Sequence, residues 1–238
     1  MLFETLFKRS QIWYKLLYMA KLIPTKPLLI LLYGFPGAGK THFARQLSET
    51  ISAAHVHGDR IRNELFDQPQ YDKQEDDVVN HLMQYMSEEF LKSGMSVIYD
   101  VNATRLSERR RLRDVARKVK AQPVLIWLQI DTDSALARLG QRDRRKADDK
   151  YAATYDRAGF DAAIGQMQNP HVSEDYIVIS GKHTFNTQRG AVIKKMYEMG
   201  LIAADQLTSS VVKPGLVNLI PNPAAGRVDM TRRNIVIR

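Results

Sequence analysis

The chain has 238 residues, of which 44% are hydrophobic, enough for one α/β domain with a substantial core. It contains no cysteine, which excludes a disulfide framework and a thiolate metal site. No apolar stretch is long enough to span a membrane and no secretory signal is recognisable, so we expect a cytoplasmic protein. The formal net charge of +9 suits phosphate-bearing partners, either nucleotides or nucleic acid, without choosing between them.

Residues 1–27 are predicted to form an amphipathic, basic N-terminal extension. Apolar side chains recur there at helical spacing between lysine and arginine residues, and Pro24 and Pro27 end the segment. The apolar residues are Leu2, Leu6, Trp13, Leu17 and Ala20. Such a helix can lie on a membrane surface, but we expect it to pack against its own domain.

Residues 34–41 read GFPGAGKT and match the P-loop pattern G-x-x-x-x-G-K-[ST]. An apolar strand is predicted just before them and a helix just after, which is the context that the motif requires. Glycines let backbone N–H groups approach phosphate oxygens, Lys40 would reach the β- and γ-phosphates, and Thr41 would ligate Mg²⁺. The predicted nucleotide contacts are Gly34, Gly37, Ala38, Gly39, Lys40, Thr41 and His42.

Short apolar segments alternate with longer helical ones along the chain. The predicted strands span residues 28–33, 55–57, 96–99, 124–130 and 176–179. The predicted helices lie near residues 40–51, 75–92, 105–120, 133–145, 151–167 and 187–199. This alternation predicts a three-layer α/β/α fold of the P-loop kinase type with a mainly parallel five-stranded sheet. We place this domain at residues 28–200, followed by a basic tail with several prolines and glycines at 201–238.

Asp59 follows the second predicted strand, and Arg62 lies one helical turn beyond it. Ligands of parallel α/β sheets bind at the carboxyl ends of the strands, which places Asp59 near the γ-phosphate. Its carboxylate could accept the proton of an attacking hydroxyl, and Arg62 could hold the acceptor or its phosphate. The alternative for Asp59 is the N-cap of a helix that begins at Arg60, and the two roles are compatible.

Asp100 ends the third predicted strand, the usual place of the carboxylate that acts on Mg²⁺ in P-loop proteins. The next residue is Val101, whereas many P-loop ATP hydrolases carry a glutamate there that polarises water. This difference favours phosphoryl transfer to an acceptor over hydrolysis. The alternative is that Asp100 only caps a turn, with Asn102 as a turn former.

Two stretches are rich in basic residues. Arg138 and Arg142 are four residues apart on a predicted helix, and a lid near residues 138–150 could bring one of them to the transferred phosphoryl group. Arg144 is a further candidate, and the alternative is a solvated basic helix end. The densest basic patch, residues 105–120, could bind a nucleic-acid backbone, although a solvated face is the better expectation.

His55 and His57 lie two residues apart on a predicted strand, so their side chains share one face of the sheet. The sequence shows no third ligand for them. We therefore expect no metal site at these histidines.

Four motifs follow one another along the chain. They are the P-loop, the Asp59-x-x-Arg62 motif, the predicted strand that ends in Asp100, and the Arg138-x-x-x-Arg142 pair. Together they resemble the kinase domain of phage-type polynucleotide 5′-hydroxyl kinases. They also resemble the wider group of small P-loop kinases often labelled AAA-family ATPases, which includes zeta-toxin-like kinases. The resemblance covers roughly the stretch from the first strand to the lid.

The resemblance implies roles for individual residues. Lys40 and Thr41 would serve ATP and Mg²⁺, Asp59 would be the general base, Arg62 would contact the acceptor, and Arg142 would be the lid arginine. The implied reaction is ATP- and Mg²⁺-dependent transfer of the γ-phosphoryl group to a hydroxyl, with a polynucleotide 5′-hydroxyl as one candidate acceptor. ATP is preferred over GTP because no guanine-reading Asn-Lys-x-Asp motif is present.

Three alternatives stay open from the sequence. The protein could be a regulatory NTP-hydrolysing ATPase, a zeta-toxin-like kinase of a small-molecule acceptor, or a nucleotide-binding module whose basic tail binds RNA. Acceptor-dependent consumption of ATP would distinguish the kinases from the other two.

Overall fold

The computed structural model describes residues 21–143, 145–146, 149–171 and 173–204. Its strands are β1 (Leu28–Tyr33), β2 (Ala53–His57), β3 (Ser96–Asn102), β4 (Gln122–Gln129) and β5 (Tyr176–Ser180). Its helices are α1 (Lys40–Thr50), α2 (Gly58–Leu65), α3 (Lys73–Lys92), α4 (Leu106–Lys118), α5 (Thr132–Gly140), α6 (Arg157–Gly165) and α7 (Phe185–Glu198). All five strands are parallel, in the order β2-β3-β1-β4-β5, which confirms the predicted fold.

The central strand β1 is buried along its whole length because both faces of the sheet are covered. Alternate side chains on one face, such as Ile30, pack in a cluster with residues of α1 and α7. Those on the other face, such as Leu31, pack in a second cluster with residues of α3 and α4. Double burial explains why β1 is a continuous apolar run, since no position along it faces water.

The packed unit extends slightly beyond residues 28–200. Leu22 is buried in the core beside β1, and it forms an isolated parallel bridge with Ile51. Leu201 and Ile202 are also buried in that cluster. The remainder of the predicted extension and tail, before residue 21 and after residue 204, lies outside the described residues. Within the described part of the chain, no helix has the length and apolar character needed to cross a membrane.

Two predicted helix boundaries differ from the structure around the predicted lid. The helix expected at 133–145 ends at Gly140, and the helix expected at 151–167 begins at Arg157. A glycine favours the end of a helix, and the Asp156 side chain accepts a hydrogen bond from the Gly159 N–H, which starts the next one. Arg142 therefore lies beyond α5 and does not share its face with Arg138.

The basic helix α4 turns two of its arginines into the protein. Arg109 is buried and donates from Nε and Nη2 to the two carboxylate oxygens of Glu174, each at 2.9 Å. Arg113 donates to the same carboxylate at 2.7 Å. The Arg109 guanidinium also lies 5.3 Å from the centre of the Tyr33 ring. These contacts remove part of the predicted basic patch from the surface and fasten α4 to the segment before β5.

We expect Glu174→Ala to lower the free energy of unfolding by about 3–5 kcal/mol, because the buried Arg109 guanidinium loses its counter-charge. Denaturant unfolding followed by circular dichroism would measure the loss. The control is Asp114→Asn on α4, which removes the carboxylate of an exposed pair with Arg117 and should change stability by less than about 1 kcal/mol. Equal effects of the two substitutions would show that the buried pair does not stabilise the fold.

Candidate active site

The P-loop has a backbone conformation that two of its glycines make possible. Gly37 and Gly39 have φ angles of 82° and 91°, in the left-handed region where other residues are strained. A Cβ atom at Gly37 would also lie 2.4 Å from the carbonyl oxygen of Ala135, so the loop packs directly against α5. The glycines predicted from the motif therefore shape the loop and allow its close approach to the helix.

Lys40 is the first residue of α1, and its side chain reaches back to the loop. Its Nζ donates to the carbonyl oxygens of Gly34 at 2.8 Å and Phe35 at 3.0 Å. Burial lowers the pKa of Lys40 to about 8, opposed by the negative charge of Asp100 and assisted by the positive charge of Arg142. Because burial disfavours the protonated form of Lys40, the negative charge of a bound triphosphate would stabilise that form.

Asn102 supports the P-loop from the end of β3. Its Oδ1 accepts a hydrogen bond from the Gly34 N–H at 3.2 Å. The pairing of β1 with β3 shifts register between Leu31 and Leu32, so that Leu32 lies opposite Asn102. The sequence suggested only a turn former at this position. The irregularity in the strand pairing, which brings the side chain to the loop, has no signature in the sequence.

Thr41 and Asp100 form an oxygen pair beside the loop. The Thr41 hydroxyl donates to Asp100 Oδ1 at 3.4 Å, and Asp100 is almost fully buried. Hydroxyl and carboxylate oxygens are the hard ligands that Mg²⁺ prefers, usually with waters completing its shell. These two residues therefore fit the Mg²⁺ site that was predicted for them.

The histidines of β2 reach the other oxygen of the same carboxylate. His55 Nε2 lies 2.9 Å from Asp100 Oδ2, His57 Nε2 lies 3.9 Å from it, and the two rings are stacked. Burial lowers the pKa of His57, which favours its neutral form, although Asp100 opposes this effect. The sequence showed no third ligand for these histidines, but the pairing of β2 with β3 supplies one by placing His57 opposite Asp100.

Asp59 lies in the first turn of α2. This helix begins at Gly58, with His57 as its N-cap, so the expected N-cap role of Asp59 is wrong. The start of α2 lies close to β3, since a Cβ atom at Gly58 would lie 2.4 Å from Val101 Cγ2. Burial raises the pKa of Asp59, while His57 lowers it and Asp100 raises it further. A half-buried carboxylate with a raised pKa is a suitable proton acceptor.

Arg62 is held by two carboxylates of α3. Its Nη1 donates to Glu75 at 2.8 Å and its Nη2 donates to Asp76. The guanidinium also lies 4.8 Å from the centre of the Tyr71 ring. Among the described residues Arg62 Nε has no hydrogen-bond partner, although it is buried. The sequence did not indicate these pairs, because they join two helices and depend on how the helices pack.

The two lid candidates occupy different surroundings. Arg138, on α5, donates to the carbonyl oxygen of Gly181 at 2.9 Å. Arg142 lies beyond the helix, donates to the carbonyl oxygen of Ala153 and has its Nε 4.0 Å from Asp149. Arg144 lies outside the described residues.

One cleft of about 700 Å³ at the carboxyl ends of β1, β2 and β3 contains most of the predicted site. The site residues that line it are Gly37, Gly39, Lys40, Thr41, His42, Asp59, Arg62, Asp100, Arg138 and Arg142. Gly34 and Ala38 are buried behind this surface. The fold therefore brings the separate motifs of the sequence to one place.

The family described as AAA domain matches residues 29–169, which is more than half of the chain. The fold is similar to a gluconokinase from Sinorhizobium meliloti 1021, with a TM-score of 0.53 at 15% identity over 73% of this chain and 94% of that chain. The fold is also similar to the Mycobacterium tuberculosis APS kinase CysC in complex with AMPPNP and APS, with a TM-score of 0.53 at 16% identity. That match covers 73% of this chain and 99% of that chain. A third similar fold is a chain of the Pnkp1/Rnl/Hen1 RNA repair complex, with a TM-score of 0.51 at 18% identity over 59% of this chain and 44% of that chain. The sequence has no significant match among curated proteins.

We expect ATP affinity to be constant below about pH 8 and to fall above it, because Lys40 with a pKa of about 8 must then take up a proton when the triphosphate binds. The limiting slope is about tenfold per pH unit. Calorimetric titration from pH 7 to 9.5, in buffers of different ionisation enthalpy, would report both the affinity and the proton uptake. Lys40→Ala should bind ATP weakly without this dependence. A flat profile for the unaltered protein would contradict the assignment of Lys40 to the phosphates.

Proposed function

Because the chain belongs to the AAA domain family and has the fold of small P-loop kinases, we propose that it is an ATP- and Mg²⁺-dependent kinase of a hydroxyl acceptor. The observation that carries this proposal is the placement of Asp59 in the same cleft as Lys40, Thr41 and Asp100. A kinase needs a proton acceptor beside its nucleotide site, and Asp59 is a half-buried carboxylate with a raised pKa.

In the proposed reaction, the acceptor hydroxyl oxygen bonds to the γ-phosphorus of ATP, the bond from that phosphorus to the β–γ bridging oxygen breaks, and ADP leaves. Asp59 takes the proton of the hydroxyl. Lys40 and the P-loop N–H groups bind the β- and γ-phosphates, and Thr41 and Asp100 would hold Mg²⁺. Mg²⁺, when bound, neutralises charge on the phosphate oxygens. Arg142 or Arg138 stabilises the transferred group.

Hydrolysis without an acceptor is the rival reaction, and the end of β3 argues against it. Val101 follows Asp100, at the position where hydrolases place a water-polarising glutamate. A nucleotide-binding module with an RNA-binding tail is the other rival, and that tail lies outside the described residues. Detection of a phosphorylated acceptor would distinguish the kinase from both rivals.

The contacts around Asp59 bear on the class of acceptor. We define the acceptor side as the part of the cleft lined by α2, α3 and α4. Its ionisable lining residues are the carboxylates Asp59, Asp76 and Glu108 and the guanidiniums of Arg62 and Arg111. Since Arg62 already pairs with Glu75 and Asp76, binding an acceptor phosphate would require these ion pairs to open. A polyanion would meet more negative than positive charge here.

Aromatic rings complete this side of the cleft. Tyr71 and Tyr155 both line the cleft, and Tyr155 interacts electrostatically with Asp59 and Asp76. Rings of this kind contact sugar faces and cations. We therefore propose a small polyhydroxyl acceptor, either uncharged or bearing an amine, and assign Arg62 to positioning Asp76 and Tyr71. The polynucleotide 5′-hydroxyl suggested by the motifs is the second candidate. It is supported by the exposed basic residues of α4, such as Arg110 and Arg117.

We expect Asp59→Asn to lower the rate of phosphoryl transfer by roughly 10²–10⁴-fold, the usual contribution of a general base. ATP affinity should stay nearly constant, and loss of a first-turn charge should cost α2 only about 0.3–1 kcal/mol. Single-turnover transfer from labelled ATP would measure the rate. Asp76→Asn removes a carboxylate from the same cleft and should leave the chemical step within about tenfold of the original. An unchanged rate in Asp59→Asn would remove the base from this mechanism.

The acceptor class is tested by offering hexoses, amino sugars and a 5′-hydroxyl oligonucleotide and identifying the phosphorylated product. We expect transfer to the sugars. Asp76→Asn should raise the KM of an amino sugar by roughly tenfold or more, because a hydrogen bond to a charged group is lost, while the KM of ATP stays constant. The control Asp77→Asn alters the neighbouring exposed carboxylate. If only the oligonucleotide is phosphorylated, with a steep salt dependence, the kinase stands and the small acceptor does not.

A further inference from the structure

We propose that His55, His57 and Asp100 form a site for a first-row transition-metal ion such as Zn²⁺ or Co²⁺. The site adjoins the Thr41–Asp100 oxygen pair assigned to Mg²⁺ but uses different ligand atoms. It does not depend on the kinase assignment, since it requires neither ATP nor an acceptor.

The sheet places the three ligands together. His55 and His57 project from the same face of β2, and the parallel pairing with β3 sets His57 opposite Asp100 and His55 opposite Ile98. One ligand atom from each residue lies within 4.8 Å of the other two. The adjacent strands thus form a three-residue cluster that no segment of the sequence contains by itself.

The spacing of these atoms suits a bound ion. His55 Nε2 and His57 Nε2 lie 2.9 and 3.9 Å from Asp100 Oδ2. Ligands about 2.1 Å from a tetrahedral metal are separated from one another by roughly 3.4 Å, which falls between these two distances. His55 alone is close enough to hydrogen-bond to Asp100. His57 Nε2 lies beyond hydrogen-bond distance of the same oxygen, and a metal ion bound by all three groups would link it to Asp100.

The chemistry of the ligands selects the ion. Two imidazole nitrogens and one carboxylate oxygen are a set that Zn²⁺, Co²⁺ and other first-row transition metals bind more readily than Mg²⁺, which prefers oxygen. Three protein ligands leave a fourth position for water, as in open zinc sites. The imidazole side chains of His55 and His57 are 19% and 11% exposed, so the site is mostly enclosed. His57 and Asp100 line the cleft, which gives an ion access to the site.

Asp100 belongs to both cation sites through different oxygens. Its Oδ1 accepts from Thr41, and its Oδ2 faces the histidines. A carboxylate can bridge two metal ions that lie about 3.5–4 Å apart. Substitution of Asp100 should therefore weaken binding of both ions, whereas substitution of either histidine should weaken only the transition metal.

The experiment titrates Co²⁺ and Zn²⁺ into the full chain, without a polyhistidine tag, nucleotide or acceptor. Calorimetry gives the stoichiometry, and Co²⁺ absorption reports its coordination, since four-coordinate Co²⁺ absorbs visible light far more strongly than six-coordinate Co²⁺. We expect one strong site per chain. His55→Ala and His57→Ala should each weaken it by more than about 100-fold, exceeding the effect of losing an outer-shell partner. His81→Ala, an exposed histidine on α3, is the matched control and should bind as the original does.

Two further measurements keep the result interpretable. Nitrogen resonances of the His55 and His57 imidazoles in the unaltered protein should shift at one equivalent of Zn²⁺, which needs no variant to fold. Stabilisation by Mg²⁺-ATP should persist in both histidine variants and confirm their folding. The site is disproved if the metal binds no more strongly to the original protein than to His55→Ala and His57→Ala, or if the two imidazole signals do not respond to Zn²⁺.

Discussion

The buried carboxylate of Asp100 is the constraint around which the site is organised. A charge removed from water must be satisfied by hydrogen bonds or cations, and Asp100 receives these from Thr41 on one oxygen and from His55 on the other. The same charge raises the pKa of Lys40 against the effect of burial and raises that of Asp59. Thr41 and β2 therefore contact one side chain of β3, and the pKa values of Lys40 and Asp59 depend on the charge of that side chain.

Arginine has two separate uses in this protein. Arg109 and Arg62 are buried and tied to the carboxylates of Glu174 and Glu75, where they hold helices in place. Arg142, in contrast, lines the cleft, where it is available for the role in phosphoryl transfer that we propose. The net charge of the chain is therefore a poor guide to its partner, because part of the positive charge is neutralised inside the fold. The charges that remain on the acceptor side are the reason why we propose a small polyhydroxyl acceptor.

Much of the architecture follows from local sequence. The apolar strands, the glycine-rich loop and the alternation with helices specified the parallel sheet, because each pattern reflects burial on two faces or a backbone conformation open to glycine. The same patterns identified Lys40, Thr41, Asp59 and Asp100, which the structure brings to one cleft. The boundaries near Gly140 were less predictable, since a single cap decides where a helix stops.

The amino-acid sequence by itself determined the P-loop, the order of strands and helices, and the edge of the sheet near which Asp59 and Asp100 lie. It did not determine the end of β3, which continues past Asp100 to Asn102. Only the tertiary structure decided which side chains satisfy one another. The partners of Arg62 come from α3, those of Asp100 come from β2 and α1, and Asn102 reaches the loop through an irregular strand pairing. Such contacts depend on strand register and helix packing, which the distances between residues along a sequence do not encode.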